Sequence, residues 1–129
     1  MSKFNLSKNV VFLGFCSNPI EWVIKTEFGI LPSLWEGLPL FPIEACSVKR
    51  TVVATAVDGT PEVVIDRKTG LLVPPKDVKK LAEAIIFIFK NQEYRKKMAE
   101  EGYRLFKEKF TIDKMLKGYE EVYQKVIGP

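Results

Sequence analysis

The fold class is indicated by the stretch Phe28-Gly29-Ile30-Leu31-Pro32-Ser33-Leu34-Trp35-Glu36-Gly37-Leu38-Pro39-Leu40-Phe41-Pro42-Ile43-Glu44-Ala45. Its first six residues form a short apolar run that predicts a strand over residues 28–33, terminated by Pro32. A loop rich in Gly and Pro follows, and then a predicted helix from about residue 41 or 42 to residue 48. Pro42 is tolerated there because it lies in the first turn. A strand, a loop and a helix in this order begin the βαβ unit of a parallel sheet.

Similar patterns lie on both sides of this stretch. Further strands are predicted over residues 9–14, 51–55 and 71–73, and helix starts at Asn18, Asp77 and Thr111. The run Asn9-Val10-Val11-Phe12-Leu13-Gly14 has the β-branched, apolar character of a buried parallel strand. Strands that alternate with helices predict an α/β fold: a Rossmann-like parallel sheet flanked by helices, with a helical C-terminal tail.

Composition excludes several kinds of site. The 129-residue chain contains no His, which excludes Ser-His-Asp and Cys-His catalysis and His-ligated metals. The two cysteines, Cys16 and Cys46, have no neighbouring pair with which to form a metal cage. We therefore expect both to be small buried side chains.

Charge and hydropathy argue against nucleic acid and against a membrane span. The net charge is +4, from 20 Lys and Arg against 16 Asp and Glu. Beyond residue 75 basic and acidic residues alternate as on a solvated helix, so we expect no nucleic-acid partner. No apolar run approaches the roughly 20 residues that cross a bilayer, and no long apolar stretch follows the N-terminus. We expect a cytoplasmic chain with at most peripheral contact at the inner membrane face.

Glu36 and Glu44 are the candidate binding residues. Glu36 follows a predicted strand, and Glu44 is expected within the first turn or so of the next helix. Ligands of open α/β sheets bind at the carboxyl ends of the strands, and Gly37 permits close approach of the backbone. Ionised carboxylates accept several hydrogen bonds, which suits a ligand rich in hydroxyl groups. The residues alone also allow a second interpretation, in which Glu36 is a solvated loop acid and Glu44 stabilises the helix dipole.

The pattern of a Glu, seven residues and a second Glu within residues 31–45 resembles the signature of retaining GT-B glycosyltransferases (glycosyl transferases group 1, family 4). These enzymes are nucleotide-sugar-dependent hexosyltransferases. The segments that match on either side, in order, are residues 9–15, 51–55, 59–64 and 69–77. The resemblance implies that residues 1–129 are a single, partial second (donor-binding) domain of a GT-B fold. It implies that the N-terminal acceptor domain and the first two strand–helix units are absent.

The same resemblance implies a role for each matching residue. Glu36 matches the glutamate that hydrogen-bonds the donor sugar around its 3-hydroxyl. Gly37 and Leu38 match positions whose backbone amides approach the sugar and the phosphates. Glu44 matches the residue that binds the ribose hydroxyls, and Glu62 is expected to be structural. The implied co-substrate is a UDP- or GDP-sugar, with no cofactor and no metal.

The whole enzyme is expected to transfer a hexose from this donor to a glycan or a lipid-linked acceptor. The isolated chain, as a fragment, a truncated product or one half of a split enzyme, is expected to be inactive, because transfer needs both substrates positioned together. The expected partners are a missing N-terminal domain, a split partner chain or a second copy. The alternative function is a non-catalytic protein-interaction module that retains the glycosyltransferase fold.

Two features of the sequence bear on these expectations. Asp58 stands where the family commonly has the first glycine of a pair, Pro39 stands where one branch has glycine, and residues 47–50 replace a turn that usually contains glycine. These differences concern loop geometry. The apolar stripe from Ile112 to Val126 matches a C-terminal helix that reaches back across the domain cleft in the family. It either covers this domain's own sheet or lies partly bare.

Overall fold

Three parallel strands form one sheet in the computed structural model, which describes residues 4–128. They are β1 (Gly29–Leu31), β2 (Val52–Thr55) and β3 (Gly70–Val73), and β2 lies in the middle. The helices are α1 (Pro19–Lys25), α2 (Leu40–Ser47), α3 (Thr60–Val63), α4 (Val78–Lys90), α5 (Gln92–Lys109) and α6 (Ile112–Ile127). The predicted α/β class, with a parallel sheet and a helical C-terminal part, is confirmed.

The core lies on both faces of β2. All four residues of this strand are buried, as expected for a parallel strand that is covered on both sides. Because successive side chains point to opposite faces, the Val52 side chain belongs to the cluster that includes Val23 of α1. Val53 belongs to the cluster with Ile88 of α4 and Met98 of α5. Helices on both faces thus hold the sheet whose carboxyl ends carry the candidate site.

The prediction of a strand over residues 9–14 is wrong. These residues have no regular strand structure, and the side chains of Val11 and Phe12 are 80% and 78% exposed. The resemblance implies that the first two strand–helix units are absent, so residues 9–14 would correspond to the third strand. In a doubly wound sheet with strand order 3-2-1-4-5-6, the first two strands lie between the third strand and the fourth. No strand of residues 4–128 lies on the outer side of β1. An apolar run of this kind forms a strand only beside a partner, and here it has none.

The helix starts agree closely with the sequence pattern. Asp77 Oδ1 accepts a 2.9 Å hydrogen bond from the Lys80 amide, and Thr111 caps α6 through the Lys114 amide at 3.4 Å. Asn18 precedes α1 as predicted, but its side chain does not cap the helix. Its Nδ2 donates instead to Glu21 Oε1 at 2.7 Å.

The two edges of the sheet differ. On the outer side of β3, the Leu72 amide donates to Asp66 Oδ1 at 2.9 Å, and the Arg67 amide donates to the Gly70 carbonyl at 2.8 Å. These bonds occupy groups that an additional strand would need. In the part of the chain that the structure describes, β1 pairs with β2 alone. The β3 edge is therefore blocked, whereas the β1 edge is open.

Helix α6 exposes its apolar side. It has no buried residue along its length of Ile112–Ile127. The exposed apolar side chains are Ile112, Met115, Leu116, Tyr119, Val122, Tyr123, Val126 and Ile127. Of the two alternatives for this stripe, the structure shows the one in which the apolar side chains lie exposed.

Between residues 4 and 128, no helix combines the length and the apolar character that crossing a bilayer requires.

The two cysteines differ in burial. Cys46 is buried on α2, as predicted. Burial raises the pKa of its thiol from 9.0 to about 11, because the charged thiolate would lose its hydration. Cys16 is only half-buried, so the prediction of burial is wrong for it. It lies in the irregular segment before α1, where no packed layer covers it.

Candidate functional site

The loop that leaves β1 holds the Glu36 side chain in a defined position. Ser33 Oγ donates a 2.5 Å hydrogen bond to Glu36 Oε1. Ser33 is itself held by Thr55 at the end of β2, whose Oγ1 donates to the Ser33 carbonyl at 2.5 Å. The carboxyl ends of two neighbouring strands thus fix this half-buried carboxylate. One of its oxygens accepts no hydrogen bond from the residues that the structure describes.

A second loop, after β2, is bound to the first. The Glu36 amide donates to Asp58 Oδ2 at 2.7 Å, and the Gly59 amide donates to the Gly37 carbonyl at 3.1 Å. A Cβ added to Gly59 would collide with the Gly37 carbonyl oxygen, so only glycine allows the two loops to lie this close. The two hydrogen bonds make residues 36–37 and 58–59 one unit.

The backbone amides that follow Glu36 are open. Within residues 4–128, the amides of Gly37 and Leu38 donate no hydrogen bond. Helix α2 begins immediately afterwards, and its N-cap, Pro39, supplies no side-chain cap. Unpaired amides at the start of a helix attract oxygen atoms that carry negative charge. Pro42 lies in the first turn and offers no donor.

Glu44 lies further along α2 than predicted. The helix begins at Leu40, so Glu44 is its fifth residue and stands beyond the first turn, which contains no acidic residue. The interpretation of Glu44 as a first-turn acid that stabilises the helix dipole is therefore wrong. Its side chain is partly buried, and among the described residues it has no hydrogen-bond or ion-pair partner. Its carboxylate is thus available to a ligand.

Three residues of this arrangement were absent from the predicted site. Ser33 and Thr55 orient Glu36, and Asp58 holds its amide. The signal for Asp58 was its Asp-Gly pair at the end of a predicted strand, which is typical of a tight turn. Ser33 carries a local signal, since it stands only three residues before the Glu36 carboxylate that it bonds. Thr55 carries none, because its contact with Ser33 joins segments 22 residues apart. Glu62 is exposed on α3, where its amide bonds the Gly59 carbonyl at 3.1 Å.

Two cavities near the sheet are lined by neither Glu36 nor Glu44. A cavity of about 510 Å³ lies at the β3 edge, between Asp66, Leu72 and Phe87. A smaller one of about 130 Å³ lies at the carboxyl ends of the strands, lined in part by Leu34 and Thr55. The carboxylates and open amides supply the polar groups that can bind a ligand. Across residues 4–128 the structure contains no group of three or more His, Cys, Asp or Glu suited to a metal.

Comparison with known proteins gives this geometry a family context. The family model for glycosyl transferases group 1 matches residues 1–105. An uncharacterized glycosyltransferase of Methanocaldococcus jannaschii is 34% identical over 102 residues, which cover 79% of this chain and 29% of that protein. The chain spans about a third or less of the length of such relatives.

Solved structures of glycosyltransferases also superimpose on this chain. Sucrose-phosphate synthase from Thermosynechococcus elongatus superimposes with a TM-score of 0.92 and 27% identity, covering 98% of this chain and 32% of that one. Anabaena HepE, solved in complex with UDP-glucose, has a TM-score of 0.92 over 96% of this chain and 34% of its own, but is 20% identical and so shows the fold alone. The fold is that of a GT-B glycosyltransferase. Because the family model covers most of its length, the chain belongs to the glycosyl transferases group 1 family.

Proposed function

We propose that this chain is the nucleotide-sugar-binding part of a glycosyltransferase. The observation that carries the proposal is the Glu36 carboxylate, fixed by Ser33 at 2.5 Å beside the open amides of Gly37 and Leu38. A carboxylate accepts hydrogen bonds from sugar hydroxyls, and free amides donate to phosphate oxygens. Membership of the glycosyl transferases group 1 family supports a role in glycosyl transfer.

In this proposal, each polar group of the site binds a different part of the donor. Glu36 accepts from the donor sugar around its 3-hydroxyl, and the Gly37 and Leu38 amides approach the sugar and the phosphates. Glu44, the fifth residue of α2, accepts from the ribose hydroxyls. The unpaired state of its carboxylate supports this assignment, since a carboxylate already in an ion pair would have less capacity to accept. The donor is a UDP- or GDP-sugar, and UDP-glucose bound to HepE is consistent with the former.

The whole protein would transfer a hexose to a glycan or a lipid-linked acceptor. The relatives are about three times as long as this chain, and a missing N-terminal domain or a partner chain would supply the acceptor site. Effective transfer requires donor and acceptor to be held together and the leaving diphosphate to be stabilised. We therefore expect negligible transferase activity from the 129-residue chain alone.

The test is a titration of the chain with UDP-glucose, UDP-N-acetylglucosamine and GDP-mannose, followed by ligand-observed NMR. Binding of donors with one base, lost on Glu44→Ala and weakened on Glu36→Gln, would support the proposal. Glu83→Gln is the matched control, because this exposed glutamate lies on α4 beside the β3 edge. The absence of binding to every donor, or equal binding by Glu44→Ala, would contradict it.

An interaction module is the second candidate, and the exposed apolar surface favours it. Phe15 is 96% exposed, and α6 presents a full apolar stripe. Surfaces of this kind mark contacts with another domain, a partner chain or a second copy. Sedimentation velocity of the wild type against Val122→Glu tests self-association. If the wild type sediments as a monomer at all concentrations, self-association is excluded.

A further inference from the structure

Asp58 makes a contact that ties it directly to the proposed donor site. Its Oδ2 accepts a 2.7 Å hydrogen bond from the amide of Glu36, 22 residues earlier in the chain. One residue on, Gly59 donates to the Gly37 carbonyl at 3.1 Å. The loop that carries Glu36 is therefore held by two adjacent bonds, of which only the first involves a charged acceptor. Hydrogen bonds to a charged group are about twice as strong as neutral ones.

The backbone at Asp58 is suited to this contact. Asp58 has φ +43°, in the left-handed region that Asp and Asn tolerate better than other residues with a side chain. This turn directs its carboxylate across to the neighbouring loop. The Asp58 residue is exposed, so its charged carboxylate keeps contact with water and carries no large desolvation cost.

The contact also determines which amides remain free. Because the Glu36 amide is occupied by Asp58, it cannot donate to a ligand. The next two amides, those of Gly37 and Leu38, are unpaired within residues 4–128. Without the Asp58 contact, the Gly59–Gly37 bond alone would tie the two loops together, and the Glu36 carboxylate and the open amides would be held less firmly in their common orientation. Hydrogen-bond donors that are already ordered give a higher ligand affinity than mobile ones, because binding does not have to supply the free energy of ordering them.

We propose that Asp58 is a positioning residue: by accepting the Glu36 amide it fixes the loop of Glu36, Gly37 and Leu38 in the conformation that receives the sugar and the second phosphate of the donor. This inference rests on the proposed function of the site. It assigns Asp58 no contact with the ligand.

Two substitutions separate the carboxylate from the backbone conformation. Asp58→Asn keeps an oxygen acceptor and tolerates positive φ, whereas Asp58→Gly permits the same φ and removes the acceptor. The first readout is the Glu36 amide signal in the ¹H–¹⁵N spectrum of the unliganded chain. We expect it to move upfield in Asp58→Gly, as on loss of a hydrogen bond, and to stay near its wild-type position in Asp58→Asn.

The second readout is affinity for UDP-glucose and for UMP, which has the ribose but neither the sugar nor the second phosphate; GDP-mannose and GMP form the alternative pair. Asp58→Gly should weaken UDP-glucose binding about tenfold, because the ligand must then order a loop that the internal bond to a charged group orders in the wild type. It should change UMP affinity less than about twofold, and Asp58→Asn should restore most UDP-glucose affinity. A variant that is merely less well folded would weaken both ligands equally.

The outcomes distinguish the two proposals. If the wild type binds UDP-glucose and Asp58→Gly binds it equally well, the role of Asp58 is overturned and the proposed function stands. Equal weakening of both ligands in Asp58→Gly would also overturn the positioning role. If the wild type binds neither pair of ligands, the proposed function fails and the role of Asp58 in donor binding fails with it.

Discussion

Gly102 of α5 lies directly against the thiol of Cys46 on α2, so that a Cβ added to Gly102 would approach Cys46 Sγ at 2.9 Å. Both residues are buried. The sulfur is part of a buried side chain, so it cannot move aside freely. The absence of a side chain at Gly102 therefore lets α5 lie close against α2 at this contact.

Gly102→Ala should destabilise the protein by about 1–3 kcal/mol, because the added methyl group overpacks this contact. Chemical denaturation measures the change in the free energy of unfolding. Gly118→Ala is the matched control: Gly118 lies in α6 with open space around its Cα, and the higher helix propensity of Ala should raise stability by up to about 1 kcal/mol. In a Cys46→Ala background, Gly102→Ala should cost less than in the wild type. Additive effects of the two substitutions would contradict the contact.

Thr69→Val should be strongly destabilising. The buried Thr69 hydroxyl accepts from the Ile65 amide at 2.8 Å and donates to the Val63 carbonyl at 2.8 Å. Valine has the same shape but would leave both backbone groups unpaired, at a cost of about 1–3 kcal/mol each before relaxation. Thr60→Val is the control, since Thr60 Oγ1 is buried without a hydrogen-bond partner in the described structure. That substitution should be neutral or stabilising in the same denaturation experiment, and equal losses in the two variants would contradict the assignment.

Arg95→Ala should lower stability far more than removal of an exposed arginine. Arg95 Nη1 donates to the carbonyls of Ile88 and Phe89 at 3.1 Å each, and Nη2 pairs with Glu27. These bonds satisfy the end of α4 and tie it to the segment before β1, and we expect their loss to cost about 1–3 kcal/mol. Arg104→Ala is the control, because its ion pair with Glu101 is exposed and should contribute less than about 0.5 kcal/mol. Similar thermal shifts for the two variants would refute this expectation.

The Cys46 thiol should make stability fall at alkaline pH. Its pKa is raised by burial from 9.0 to about 11, so the folded state keeps a proton that the unfolded state has released. The resulting stabilisation is fully present below pH 9.0 and is lost as pH rises to about 11. Urea unfolding of Cys16→Ala and of Cys16→Ala/Cys46→Ala across this range measures the effect. The double variant should lose stability less steeply, and parallel curves would contradict the prediction.

Local patterns were sufficient to predict most of the elements. The strand at β2, the helix caps at Asp77 and Thr111 and the helix at residues 40–47 follow from periodicity, caps and Pro positions, which act within a few residues. Residues 9–14 have an equally clear strand pattern, yet they form no strand. Whether an apolar run pairs depends on a neighbouring strand, and that information lies outside the run itself.

The candidate site likewise consists of residues that local sequence indicates and of contacts between distant segments. Glu36, Gly37 and Glu44 were predicted from one continuous segment, and their roles as donor-binding residues stay predictions. The Asp58 contact with the Glu36 amide could not be predicted, because it joins two loops 22 residues apart through a backbone group that every residue has. Arg95 is a similar case: its bond to Glu27 spans 68 residues.

The asymmetry of the sheet edges links assembly to ligand affinity. Asp66 blocks one edge, so a strand that completes the sheet can join only at β1. Parallel strands end at the same rim, so such a strand would deliver its last residues beside the loop of Glu36. Under the proposed function, a nucleotide sugar could contact both this chain and the chain that supplies the added strand. By thermodynamic linkage, the sugar would then strengthen the association of the two chains by the same factor by which their association strengthens the binding of the sugar.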